Sequence, residues 1–188
     1  MNLTTLQYKI FVAVAFIAEI LSVPLAFVLP IELSFENGLI ENAQIIILII
    51  GTIWILSVRS PLKWFKIFSS AGFLLIVFRE LSWGRVFFPV DMEKLGPVYV
   101  FLTVYILAMI FILIRFVPIK EIFLSRQPLA AFAVMIVALI LVSVGDQGWL
   151  VGKAHGQILE ELNELIFYAT LPVAALYYCR VEAEKILR

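Results

Sequence analysis

The chain can do chemistry chiefly through acids and arginines that fall where long apolar runs end: Glu41, Arg79, Glu80, Arg85, Asp146, Glu160, Glu161 and Glu164. Carboxylates in such places bind cations, exchange protons or act as general acids and bases, and arginines hold carboxylates or phosphates through two parallel hydrogen bonds. Ionisable groups set among apolar residues at the end of a membrane span usually face a bundle interior or an aqueous cavity.

Spacing sorts them further. In the run Glu41, Asn42, Ala43, Gln44, residues three or four apart share a helix face, so Glu41 and Gln44 point together. Asn42, a further candidate ligand, points elsewhere. Arg79, Glu80, Leu81, Ser82, Trp83, Gly84 and Arg85 make a dense polar patch after an apolar run. Glu161, Glu164 and Tyr168 follow i, i+3, i+7 spacing and form one stripe. Asp146 and Gln147 close another run, and Glu160 opens the next. Asp91, Glu93, Lys94 and Lys153 read instead as solvated loop residues. A purely structural Arg and Glu network is the rival reading, at about 0.6 kcal/mol per interhelical polar contact.

Two residues stand apart. Glu19 lies near the middle of an apolar run, where a charge costs about 2.5–3.5 kcal/mol or more, so it must be neutral or paired. It reads equally as a proton-carrying or cation-coordinating group and as a glutamic acid bonded to a backbone carbonyl or to Ser22. His155 is the sole histidine, expected in a loop between Gly152 and Gly156. Folded over Glu41, Glu80 and Glu164 it would complete a nitrogen and oxygen ligand set for zinc, manganese or iron. With one histidine and no Glu-x-x-His pair, no metal or other cofactor is strongly implied.

The elements that must position these groups are membrane spans. Of the 188 residues, 63% are hydrophobic and 15% charged, and the mean hydropathy is +1.07, whereas soluble domains carry about 25% charged residues. A span needs about 20 apolar residues as a helix. Six such runs cover residues 10–29, 38–57, 62–83, 97–118, 128–147 and 158–179. The expected fold is therefore all-α, a polytopic bundle of six transmembrane helices forming a single domain over residues 1–188. Pro24 and Pro172 fall inside spans and predict kinks. The small-residue run Ser69, Ser70, Ala71, Gly72 predicts a close helix contact.

Lys9, Arg59, Lys63, Lys66, Arg115, Lys120, Arg126, Arg180, Lys185 and Arg188 all fall on one side of such a bundle, against Arg79, Arg85, Lys94 and Lys153 on the other. The excess marks the cytoplasmic side, so both termini are expected in the cytoplasm of a plasma (inner) membrane protein, with the acidic cluster facing outward. Cys179, the only cysteine, excludes an intrachain disulfide.

There is no phosphate-binding glycine loop, nucleophile elbow, dinucleotide fingerprint or Cys-x-x-Cys pair, and zero formal charge gives no field for nucleic acid. Three function classes follow. The first is a protein that binds or conducts an ion, proton or lipid headgroup. The second is a membrane-embedded, possibly metal-dependent enzyme of the outer leaflet with Glu80 or Glu164 as general base. The third is a structural subunit of a larger membrane complex. The expected partners are membrane lipids and, beyond them, further copies of the chain or the other subunits of a membrane complex.

Overall fold

The protein was analysed as a computed structural model that describes residues 4–30, 32, 38–81, 96–117, 120, 126–148 and 151–182, with the backbone alone at 96–98, 126–128 and 181–182. Among the described residues six long helices follow one another: α1 (Thr5–Val28), α2 (Leu39–Ser57), α3 (Lys63–Glu80), α4 (Gly96–Phe116), α5 (Arg126–Gln147) and α6 (Gly152–Tyr177). A π turn over Tyr178–Glu182 extends α6. Among the described residues the fold is all-α.

Local chemistry sets several of the ends. Helix α1 starts five residues earlier than hydropathy predicts because Thr4 and Gln7 form a reciprocal capping box. Gln7 N donates to Thr4 Oγ1 at 3.2 Å and Thr4 N to Gln7 Oε1 at 2.9 Å, which satisfies two otherwise orphaned donors. At the close of α2, Lys66 Nζ donates to the carbonyls of Leu56, at 2.9 Å, and Val58, a cation on carbonyls that have no helical partner. Helix α3 ends at Glu80, with Leu81 as its C-cap, and the expected span end at Trp83 lies outside the described residues. Helix α5 stops at Gly148, whose φ of +65° is the left-handed conformation that ends helices.

Helix α6 is the axis of the bundle, and α1, α2 and α5 all pack on it, with α3 touching it more lightly. Helix α4 rests on α3 at the periphery, where Tyr105 donates to the Ala71 carbonyl at 2.7 Å and Gly72 faces Met109. That is the contact expected of the small-residue run. Glycine makes the tightest crossings possible. A Cβ on Gly145 of α5 would lie 2.6 Å from the Gly156 carbonyl oxygen and 2.8 Å from Glu160 N of α6. One on Gly51 would lie 2.5 Å from Pro172 Cβ, so α2 gives way to the proline ring of α6.

Among the described residues four helices, α1, α2, α4 and α5, are long and apolar enough to cross a membrane. Their outer faces carry exposed Ile17, Ile20, Ile46, Ile53, Leu107 and Ile140, the surface expected of a lipid-facing wall. Helices α3 and α6 carry more charge, Lys63, Lys66, Arg79 and Glu80 on one and Lys153, Glu160, Glu161 and Glu164 on the other. The architecture is that of a membrane-spanning helical bundle whose most polar helix is also its most enclosed.

Candidate functional site

The polar patch after span three and the stripe on span six converge. From the last turn of α3, Arg79 donates through Nη1 to Glu80 Oε1 at 2.8 Å and to the Tyr168 hydroxyl at 2.5 Å, and through Nη2 to Glu164 Oε1 at 3.0 Å. Tyr168 in turn donates to Glu80 Oε1 at 2.8 Å. The Glu80 and Glu164 side chains are 8% and 10% exposed, while that of Arg79 is 51% exposed. Among the described residues one arginine, half exposed, thus balances two buried carboxylates.

Helix α2 supplies the third wall. Gln44, fully buried, donates through Nε2 to Glu161 Oε2 at 2.9 Å and to the Glu161 backbone carbonyl at 3.1 Å. Its Oε1 has no hydrogen-bond partner among the described residues. Glu41, one turn before Gln44 and half-buried, lies within electrostatic reach of both Glu80 and Glu161. Asn42 is exposed and donates to the Gly38 carbonyl at 2.8 Å, outside the cluster. Glu160, half-buried, feels Glu164 and Asp146, but Asp146 itself is exposed and takes a hydrogen bond from Gln147 at 3.0 Å. Arg85 lies outside the described residues.

His155 is a correction. Helix α6 begins at Gly152, so the histidine sits in its first turn rather than in a loop. Nδ1 donates to the Ala26 carbonyl at 2.9 Å, and the ring lies 5.1 Å from that of Phe27. Ala26 is in the last turn of α1, where carbonyls lack helical partners, so His155 caps α1 instead of joining the carboxylates. Among the described residues no group of three or more His, Cys, Asp or Glu side chains is placed to hold a metal ion.

A second polar group lies deeper. Glu19 is 1% exposed, against the α5 backbone at Ala138. The Ser22 hydroxyl donates to the Glu19 backbone carbonyl at 2.7 Å, leaving both carboxyl oxygens without a partner among the described residues. Asn163 of α6 donates to Ser22 Oγ at 3.0 Å and to the Leu159 carbonyl at 2.7 Å, and its Oδ1 is also unpartnered. Sequence reasoning missed Asn163. A neutral amide among the leucines of a helix start was the available signal, overshadowed by three glutamates beside it.

Below the ion-paired cluster runs a partly open apolar cleft of about 270 Å³. Helix α3 forms one wall through Phe65, Phe68, Ser69, Gly72, Phe73 and Ile76, and α5 the other through Phe132 and Met135. Helix α6 lays the floor with Leu171, Ala174, Ala175 and Tyr178. From Phe65 to Ile76 is eleven residues, about 16 Å of helix rise, or half of the roughly 30 Å hydrocarbon thickness. Arg79 stands three residues beyond Ile76, and Tyr168 three before Leu171, so cluster and cleft are successive turns of the same helix faces.

No protein-family profile, no characterised protein and no solved structure matches this chain.

Proposed function

We propose that this chain is a multi-pass plasma (inner) membrane protein that binds a membrane lipid. In this reading the headgroup sits on Arg79, Glu80, Glu164 and Tyr168 near the outer surface, and one acyl chain lies in the cleft between α3 and α5. The observation that carries it is the continuity of an ion-paired polar site with an apolar cleft one leaflet long. Ligand sites combine this kind of apolar lining with a few convergent polar groups. The lysine and arginine distribution supports the outward placement of the cluster. The reading is tested by native mass spectrometry of protein purified in mild detergent. Wild type retains lipid, and Ala174→Phe, which narrows the cleft without touching the cluster, loses most of it. Equal retention by both proteins refutes the cleft as the binding place.

A second reading, conduction of a proton or small cation, is favoured by one observation. Glu19 and Asn163 present three buried oxygens without hydrogen-bond partners among the described residues, in mid-bundle. Glu19→Leu separates the two readings, because it abolishes flux into proteoliposomes if Glu19 lies on a path and leaves lipid retention unchanged.

A further inference from the structure

The hydrogen-bonding inventory of the cluster says what kind of headgroup it suits. Its donors are largely spent on internal partners: three Arg79 bonds, both bonds of Gln44 Nε2 and the bond of the Tyr168 hydroxyl all end on Glu80, Glu161, Glu164 or one another. Its acceptors are in surplus. Each carboxylate offers about four lone-pair sites, and Glu80, Glu161 and Glu164 use only some of them. Gln44 Oε1, fully buried beside Glu161, uses none among the described residues. A buried acceptor without a donor is costly to leave unmade, and Gln44 Oε1 is such an acceptor beside the carboxylates.

Charge points the same way. Among the described residues Arg79 alone stands against Glu80, Glu161 and Glu164, with Glu41 and Glu160 within electrostatic reach. A phosphate bearing only negative charge would meet these carboxylates across Arg79, and like charges at close quarters are strongly disfavoured. An ammonium meets complementary charge and supplies three N–H donors. The open side of Arg79 then remains for the phosphate that such a lipid carries next to its amine.

Resting on the lipid-binding reading above, we infer that the headgroup held here is a protonated primary amine adjoining a phosphodiester, as in an aminophospholipid, with the ammonium among Gln44, Glu161 and Glu164 and the phosphate on the exposed edge of Arg79.

The test is lipid competition on the full-length protein in nanodiscs, read by native mass spectrometry. The discs contain equal parts phosphatidylethanolamine, phosphatidylcholine and phosphatidylglycerol with matched acyl chains. Phosphatidylethanolamine is expected to be retained about tenfold over each of the others, equivalent to about 1.4 kcal/mol, because choline has the charge without N–H donors and glycerol has neither. Gln44→Leu, checked for an unchanged unfolding midpoint, is expected to erase the preference over phosphatidylcholine. Should that variant fail to fold, the wild-type ranking decides alone. Equal retention of the three lipids, or preference for phosphatidylglycerol, overturns the amine assignment while leaving the lipid-binding reading intact. Retention of no lipid overturns both. Displacement of all bound lipid by millimolar ethanolamine, with no dependence on chain length, assigns the site to a soluble amine and overturns the lipid source.

Discussion

The ion pair between Arg79 and Glu164 should be measurable as a coupling energy. Nη2 and Oε1 are 3.0 Å apart, with the carboxylate side chain 10% exposed and the arginine 51%. Fully exposed pairs contribute about 0.2–1 kcal/mol, whereas removing one partner of a buried pair costs about 3–5 kcal/mol. With one end closed and the other open, a coupling of about 1–2 kcal/mol is expected between Arg79→Met and Glu164→Gln. The two single variants should differ. Arg79→Met removes the donor of three bonds and leaves Glu80 and Glu164 facing each other, for a loss of about 2–4 kcal/mol; interhelical polar contacts in membranes contribute up to about 1.7 kcal/mol each. Glu164→Gln keeps an oxygen for Nη2 and costs about half as much. The assay is reversible denaturant unfolding in bicelles of wild type, both singles and the double. Coupling below about 0.5 kcal/mol, the scatter of independent sites, or a larger loss for Glu164→Gln than for Arg79→Met, refutes the assignment of Arg79 as the group that holds the cluster together.

Two further predictions concern the bundle around the site. Gly145→Ala should destabilise the protein by about 2–3 kcal/mol, in the range for overpacked cores, because its Cβ would meet backbone atoms of Gly156 and Glu160 that cannot rotate away; Gly72→Ala, whose nearest neighbour is the flexible end of Met109 at 3.7 Å, is the near-neutral control for the thermal midpoint. Glu19→Leu should raise stability by about 1–3 kcal/mol, since it removes a buried carboxyl without a hydrogen-bond partner among the described residues, and a fall in the midpoint would show that the carboxyl is satisfied in the folded protein.

The apolar runs were legible because burial in hydrocarbon demands a length and a composition, and both are written along the chain. Their ends were less so. Hydropathy does not see the Thr4 capping box that starts α1, nor that α6 runs back to Gly152 through polar residues. The second error displaced His155 from a helix to a loop and made a metal-ligand role thinkable. Glu161, Glu164 and Tyr168 could be grouped because i, i+3, i+7 spacing fixes a shared face within one helix. That Arg79 would be the group reaching them depends on how α3 packs beside α6, which no local pattern encodes. The cleft was beyond the sequence for the same reason. Its walls come from α3 and α5, far apart in the chain, and its volume is a property of their separation.

Helix α6 explains why charge and apolar cleft meet. A helix exposed to lipid on all sides cannot carry Glu160, Glu161, Asn163 and Glu164 within five residues, given the cost of polar groups in hydrocarbon. Placed on the axis, α6 meets α1, α2, α3 and α5 instead, and three of these neighbours answer part of its polarity: Ser22 of α1 accepts from Asn163, Gln44 of α2 donates to Glu161, and Arg79 of α3 to Glu164. Where α3 and α5 stand apart, α6 forms an apolar floor between them through Leu171 and Ala174. The change along α6 from carboxylates at residues 160–164 to leucine and alanine at 171–175 spans about 11–22 Å of rise. That matches the polarity profile of a single lipid from headgroup to chain, and it is carried by the helix that, among the described residues, its neighbours enclose most.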